Sequence, residues 1–248
     1  MRTGRSVSAR RAERRRRLRR TVLWAAVLAA LSVAAFRMGP EEGGPAADGR
    51  GGGPPPPPER ATAVAVGFTA SSVAGRAQGR GRALRWRVEA ENGSGVDPDA
   101  AARAVEAILG DRRGWIRNPE YGFRLAGRGE PVDFTVKVAT PATTDRLCEV
   151  VTPELIGEAN CRVGHTVVVN LKRWQEGSPR FSGPLAEYRA LIVNHEVGHE
   201  LGHEHEGCPR PGAPAPAMMQ QIKGLQGCTS NAWPYDRDGT YLAGPRVP

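Results

Sequence analysis

Residues 195 to 205 read HEVGHELGHEH and hold four of the five histidines in this 248-residue chain. On a helix, side chains four apart share a face, so His195 and His199 can reach one ion. Glu196 stands about 100° around the helix from His195, beside such an ion rather than on it. A carboxylate there can take a proton from an attacking water. His203 keeps the same spacing from His199, but on a continued helix it lies about 12 Å along the axis from His195. Metal–nitrogen bonds of about 2.0–2.1 Å cannot bridge that separation. If the helix breaks at Gly202, which tolerates positive φ, the chain can turn and return His205 to the ion. The spacing therefore selects His195, His199 and His205 as ligands, Glu196 as general base and His203 as a bystander. Three imidazoles with a fourth position open is the pattern of catalytic zinc. Structural zinc is usually closed by four protein ligands, mostly cysteine.

These residues need a helix that is buried and well supported. Pro184 to Gly202, PLAEYRALIVNHEVGHELG, reads as that helix, with Pro184 at its first position and Ser182 nearby as a cap. It is apolar around most of its circumference, which argues for a place in the domain centre. Upstream, LRWRVEAE (84–91) and VDFTVKVA (132–139) alternate apolar and polar residues as half-buried strands do. TVVVNL (166–171) has the more continuous apolar run of a buried strand, and Phe123 to Leu125 is a short one. Between the first two lies a helix, with Asp97 as N-cap, Pro98 at its first position and Gly110 at its end. Elements in this order predict an α+β fold with a mixed sheet. No internal repeat is visible.

The full string His195-Glu196-x-x-His199-x-x-Gly202-x-x-His205 resembles the metzincin zinc-peptidase signature. Further stretches extend the likeness over roughly residues 80 to 240. They are Asp111 to Trp115, Asn170 to Trp174, Tyr188-Arg189, Cys208-Pro209, Gly227-Cys228 and Asn231 to Pro234. They are similar to an uncharacterised family of actinobacterial secreted or membrane-anchored proteins grouped with the metzincin-like peptidases. The resemblance implies a twisted sheet with a backing helix, an active-site helix and a small C-terminal part. It also implies a methionine turn beneath the metal. Ala217-Met218-Met219-Gln220 is the candidate segment, with Met218 the first choice and Met219 the alternative.

Four cysteines, Cys148, Cys161, Cys208 and Cys228, suit disulfides in an exported chain. Three pairings are possible. Sequential pairing, Cys148 with Cys161 and Cys208 with Cys228, closes short local loops and is the expectation. A zinc knuckle using Cys161 and His165 is the alternative, but no Cys-x-x-Cys pair supports it.

The net charge of +9 is local, because residues 1–20 carry ten Arg and one Glu and the remainder balances. The basic pI is therefore no nucleic-acid footprint. Residues 21–36, TVLWAAVLAALSVAAF, carry no charge and follow the arginines directly. They read as a single-span anchor or, alternatively, as the apolar part of a cleaved signal peptide. In both cases the arginines keep the N-terminus in the cytoplasm and put everything beyond outside. Residues 37–60, rich in Gly and with five prolines in a row, form a tether. Residues 61–248 are then the catalytic domain.

The expected protein is a Zn²⁺-dependent metallopeptidase on the outer side of the cytoplasmic membrane, or a secreted one if the signal is cut. Its substrate would be a peptide or protein of the cell envelope, and nucleic acid is no partner. The alternative is an inactive zinc-binding envelope module that retains the peptidase fold. A carboxylate at Glu196 speaks for catalysis, since holding zinc does not require it.

Overall fold

Alternation in sequence becomes a two-faced sheet. In β3 (Arg82–Glu91), Trp86, Val88 and Ala90 are buried while their neighbours are not. β3 runs parallel to β4 (Tyr121–Leu125) and to β5 (Phe134–Ala139), and β5 runs parallel to β7 (Thr166–Asn170). The register aligns Trp86 with Leu125 and Phe134, Val88 with Val136, and Val136 with Val167. One face is therefore continuous apolar surface. The opposite face carries charged pairs such as Arg85 with Asp133 and Lys137 with Glu89. Three short antiparallel strands finish the sheet: β1 (Phe68–Ala70) on β3, β2 (Gln78–Gly79) on β4 and β6 (Cys161–Val163) on β7. The order is β2-β4-β3-β5-β7-β6, with β1 beside β3.

The computed structural model describes residues 66–247, all within the compact unit Thr62–Pro248. The basic segment 1–20, the apolar stretch 21–36 and the tether 37–60 lie outside the described residues. Among the described residues, no helix is long and apolar enough to cross a membrane.

Two helices cover the apolar face. α1 (Pro98–Leu109) packs on β3, and the Asp97 carboxylate caps it by accepting from the amides of Asp99 and Ala100. Two shorter helices precede the longest one: α2 (Pro141–Leu147) and α3 (Leu171–Glu176). α4 (Leu185–Glu200) packs on β7 and against α1. It buries Tyr188, Ala190 to Asn194 and Glu196 to Gly198.

Several boundaries differ from expectation: β3 begins at Arg82, β4 at Tyr121 and β5 at Phe134, α4 ends at Glu200, and two further ends differ for local reasons. Leu171 opens α3 instead of ending β7, because the Asn170 side chain accepts from the Lys172 amide and starts a helix there. Pro184 is the N-cap of α4, one residue before its first turn, and no side chain caps that end. Ser182 is turned elsewhere, its amide donating to Ser230 Oγ at 2.9 Å.

Beyond α4 the chain has almost no regular structure. Turns, isolated bridges and one short 3-10 turn (Gln221–Lys223) carry it to residue 247. Cys208 is bonded to Cys228 within this part, and Cys148 to Cys161 across the loop between α2 and β6. This is the sequential pairing, and two bridges suit an oxidising, extracytoplasmic compartment.

Candidate metal centre

α4 is nearly four and a half turns long and ends where its glycine allows. Gly202 has φ +89°, a left-handed conformation, with open space around its Cα. The His203 amide reaches back to the Gly198 carbonyl at 2.9 Å, and the chain leaves the helix axis. Three residues later His205 returns to the face occupied by His195 and His199. One ring nitrogen from each of the three lies within 4.8 Å of the others. The Nε2 atoms of His199 and His205 are 3.1 Å apart. Tetrahedral bonds of ~2.0–2.1 Å separate ligand nitrogens by roughly 3.4 Å, so the imidazoles already converge at the scale zinc needs.

Outer contacts fix two of the rings. His195 Nδ1–H donates to the Ala217 carbonyl at 2.8 Å. His199 Nδ1–H donates to the His203 carbonyl at 2.8 Å. Both bonds hold the tautomer that leaves Nε2 with its lone pair for a metal. Burial pushes the His195 imidazole down to about 3, and His199 nearby adds to the effect. His199 and His205 are lowered as well, first by burial. All three are therefore held neutral, the form that ligates.

Glu196 is 5% exposed and faces the same cleft. Burial raises its carboxyl to about 8, opposed by the Arg162 guanidinium. His203 stands apart from the ligands. Its ring stacks on Trp115 with centroids 4.3 Å apart, and Nε2 is 3.2 Å from the Tyr121 hydroxyl. Only its carbonyl serves the site, through His199.

The two methionines separate cleanly. Met218 is fully buried in the main core beneath α4. A Cβ on Gly198 would come within 2.3 Å of its Sδ, so α4 sits directly on it. Met219 belongs instead to a small cluster with Ala213, Ala215 and Cys228. The C-terminal disulfide thus ties the loop that carries both, and Cys161 ties β6 beside the site.

The other stretches behind the resemblance brace this arrangement. Trp115 Nε1 donates to the Asn194 carbonyl at 2.9 Å, and Asn194 Nδ2 donates to the Ala232 carbonyl at 3.0 Å. The Arg113 guanidinium lies 4.0 Å over the Trp233 ring, whose Nε1 donates to Glu187 at 2.6 Å. Arg189 does the same for α3, donating to the Trp174 carbonyl at 2.7 Å.

A cleft of about 430 Å³ opens over the histidines and Glu196, walled on one side by Asn160, Cys161 and Arg162. Beside it, reaching His195 and Glu196, is a smaller cavity of about 90 Å³. Leu155, Phe181, Leu191, Ile192 and Met219 give it mainly apolar walls. Sequence reasoning missed Arg162 and these walls. They come from irregular loops with no periodicity, and the bonded Cys161 was the sole marker nearby.

A family model described as "Protein of unknown function (DUF3152)" matches residues 55–241. No curated protein matches the chain, and no solved structure does.

Proposed function

The chain belongs to the DUF3152 family, and we propose that it is a zinc-dependent metallopeptidase with a metzincin-like catalytic domain. The observation that carries this is the convergence of three neutral imidazoles beside a buried carboxylate in an open cleft. Met218 packed under α4 against Gly198 supports the metzincin-like assignment.

Bound zinc would supply Lewis acidity to the substrate carbonyl and make water nucleophilic near neutral pH. His195, His199 and His205 hold it through ring nitrogens, and the carbonyls of Ala217 and His203 orient the first two rings. The Glu196 carboxylate accepts the proton of the attacking water and delivers it to the leaving amine nitrogen. Burial raises this carboxyl in the metal-free protein, and the charge of bound zinc would bring it back down, leaving it ionised and able to accept that proton.

A peptide substrate is supported by the position of β6. It is the last strand of the sheet order, with its outer edge unpaired among the described residues, and Cys161 and Arg162 on it wall the cleft. An extended chain can add to such an edge through backbone hydrogen bonds. The small apolar cavity beside His195 then takes one aliphatic side chain next to the scissile bond. The two disulfides support action outside the cytoplasm, at the membrane if residues 21–36 remain as an anchor.

The test is hydrolysis of a diverse peptide library by the purified chain, with zinc, with a chelator, and with zinc restored. Cleavage beside aliphatic residues that vanishes and returns with the metal is expected. A fully zinc-loaded chain that cleaves nothing in the library would overturn the peptidase assignment.

A further inference from the structure

The third ligand is held differently from the other two. Among the described residues, the only hydrogen-bond partner of the His205 ring is His199 itself. No carbonyl fixes its Nδ1, as Ala217 and His203 do for the helical pair. His205 also lies outside any helix or strand. Its position must come from the backbone on either side of it.

Much of that support comes from the far end of the chain. The Val247 amide donates to the His205 carbonyl at 3.1 Å, and the Gly207 amide to the Pro245 carbonyl at 2.7 Å. Glu206 and Arg246 form an antiparallel bridge. The Glu206 carboxylate accepts from the Tyr241 hydroxyl at 3.0 Å and from the Gly244 amide at 2.8 Å. The two segments lie so close that a Cβ on Gly244 would be 1.9 Å from the Gly207 carbonyl oxygen. From elsewhere come the Glu206 amide to the Met218 carbonyl at 3.1 Å, the His203 amide to the Gly198 carbonyl at 2.9 Å and the Cys208–Cys228 bridge. Tyr241 anchors the tail in turn, its ring centroid 5.3 Å from that of Tyr235 and 6.3 Å from that of Trp115.

We propose that residues 241–247 form a strap that positions His205, with Glu206 as its latch. The proposal rests on the zinc-site reading above. Glu206 does not reach the metal cluster; it acts by clamping the segment that carries the third imidazole. Loosening the latch leaves two ligands fixed on α4 and frees the third. Zinc retention, rather than folding, is then the property the strap controls.

The experiment uses the full chain, stripped of metal and titrated with zinc against a chromophoric chelator. Three variants are compared with it: deletion of residues 242–248, Glu206→Ala and Glu206→Gln. The amide of Glu206→Gln can still accept from the Gly244 amide and donate to the Tyr241 oxygen, so it should restore what alanine loses. The deletion and Glu206→Ala should weaken zinc binding roughly 10- to 100-fold, the usual range for outer-contact losses, while Glu206→Gln stays close to the unaltered chain. Cobalt in place of zinc should show weaker visible bands in the first two, as the third imidazole leaves its coordination. Thermal unfolding of the metal-free proteins should be nearly the same for all four. Equal zinc affinity and equal cobalt spectra across the set would overturn the strap alone. So would metal-free stability that falls in step with affinity, since the tail would then be a general support. An unaltered chain that binds no zinc would overturn the metal site and the strap together.

Discussion

His195 and His199 stand on a helix buried along most of its length, each ring fixed by a carbonyl, and their spacing follows from 3.6 residues per turn. His205 stands on irregular chain held by a disulfide loop on one side and the last residues of the described structure on the other. The helical half is precise because its geometry repeats. The irregular half is precise only because many separate long-range hydrogen bonds agree. The proton transfer proposed for Glu196, which would tolerate little displacement, belongs to the helix. Ligation, which can lose one ring by degrees, is shared with the loop.

The sharpest way to probe the helical half is Glu196→Gln. An amide keeps the shape and cannot act as a base at neutral pH, so turnover should fall by roughly 10²- to 10⁴-fold while zinc stays bound. Peptide hydrolysis and zinc content measured on the same preparation check this. Turnover close to the unaltered rate would remove Glu196 from the mechanism.

Ligand deletions compare the halves directly. His195→Ala and His199→Ala should lose zinc nearly completely. His205→Ala should also lose it, because two imidazoles alone leave zinc open to chelators. His203→Ala should keep one zinc per chain, since its ring packs on Trp115 and only its backbone carbonyl serves His199. Zinc analysis after dialysis against a weak chelator gives the ranking. Loss in His203→Ala with retention in His205→Ala would reverse the ligand assignment.

The same division explains what the sequence made legible. Alternation in residues 84–91 and 132–139 is a direct consequence of one covered and one charged sheet face, so both strands could be found. The His195, His199 and Glu196 arrangement is local, and Gly202 with φ +89° carries the turn that admits His205. Nothing local marks Glu206 as a latch, because its partners Tyr241 and Gly244 are 35 and 38 residues away. The apolar cavity was equally hidden, assembled from a disulfide loop, α4 and the segment after Met218. Short strands β1, β2 and β6 lack enough residues for a period to appear. The choice between Met218 and Met219 depended on which one faces Gly198, a tertiary contact.

Two glycine substitutions sharpen the contrast at a smaller scale. An Ala in a helix is ordinarily better than a Gly by about 1 kcal/mol. At Gly198 the new Cβ would fall 2.3 Å from Met218 Sδ and 2.8 Å from the Trp115 ring, both buried. Gly198→Ala should therefore destabilise by roughly 1–3 kcal/mol, through overpacking. Gly202→Ala meets no atom within 4 Å, and its cost is backbone strain alone, about 1 kcal/mol. Thermal or denaturant unfolding of the metal-free variants should rank Gly198→Ala below Gly202→Ala. The opposite ranking would mean that Met218 can yield, and that the contact under α4 is loose.

A further expected effect concerns charge within the helical half. In the metal-free protein, burial holds Glu196 at about 8, above the ordinary 4.5. Its raised value means the contribution to stability is fully present below pH 4.5 and is lost as pH rises through 8, because the unfolded chain releases its proton first. The histidines act in the opposite sense. His195 is lowered from 6.5 to about 3, so the unfolded chain gains protons first and stability falls as pH drops through that interval. These histidine effects are common to the unaltered chain and Glu196→Gln, and they cancel to first order in the difference between the two. Glu196→Gln should then gain on the parent between pH 5 and pH 8, seen as a melting-temperature gap that widens as pH rises. The comparison needs metal-free protein, since zinc would favour the ionised carboxylate and remove the difference. A constant gap across that range would mean that Glu196 is well solvated in the metal-free fold, against its burial in the cleft.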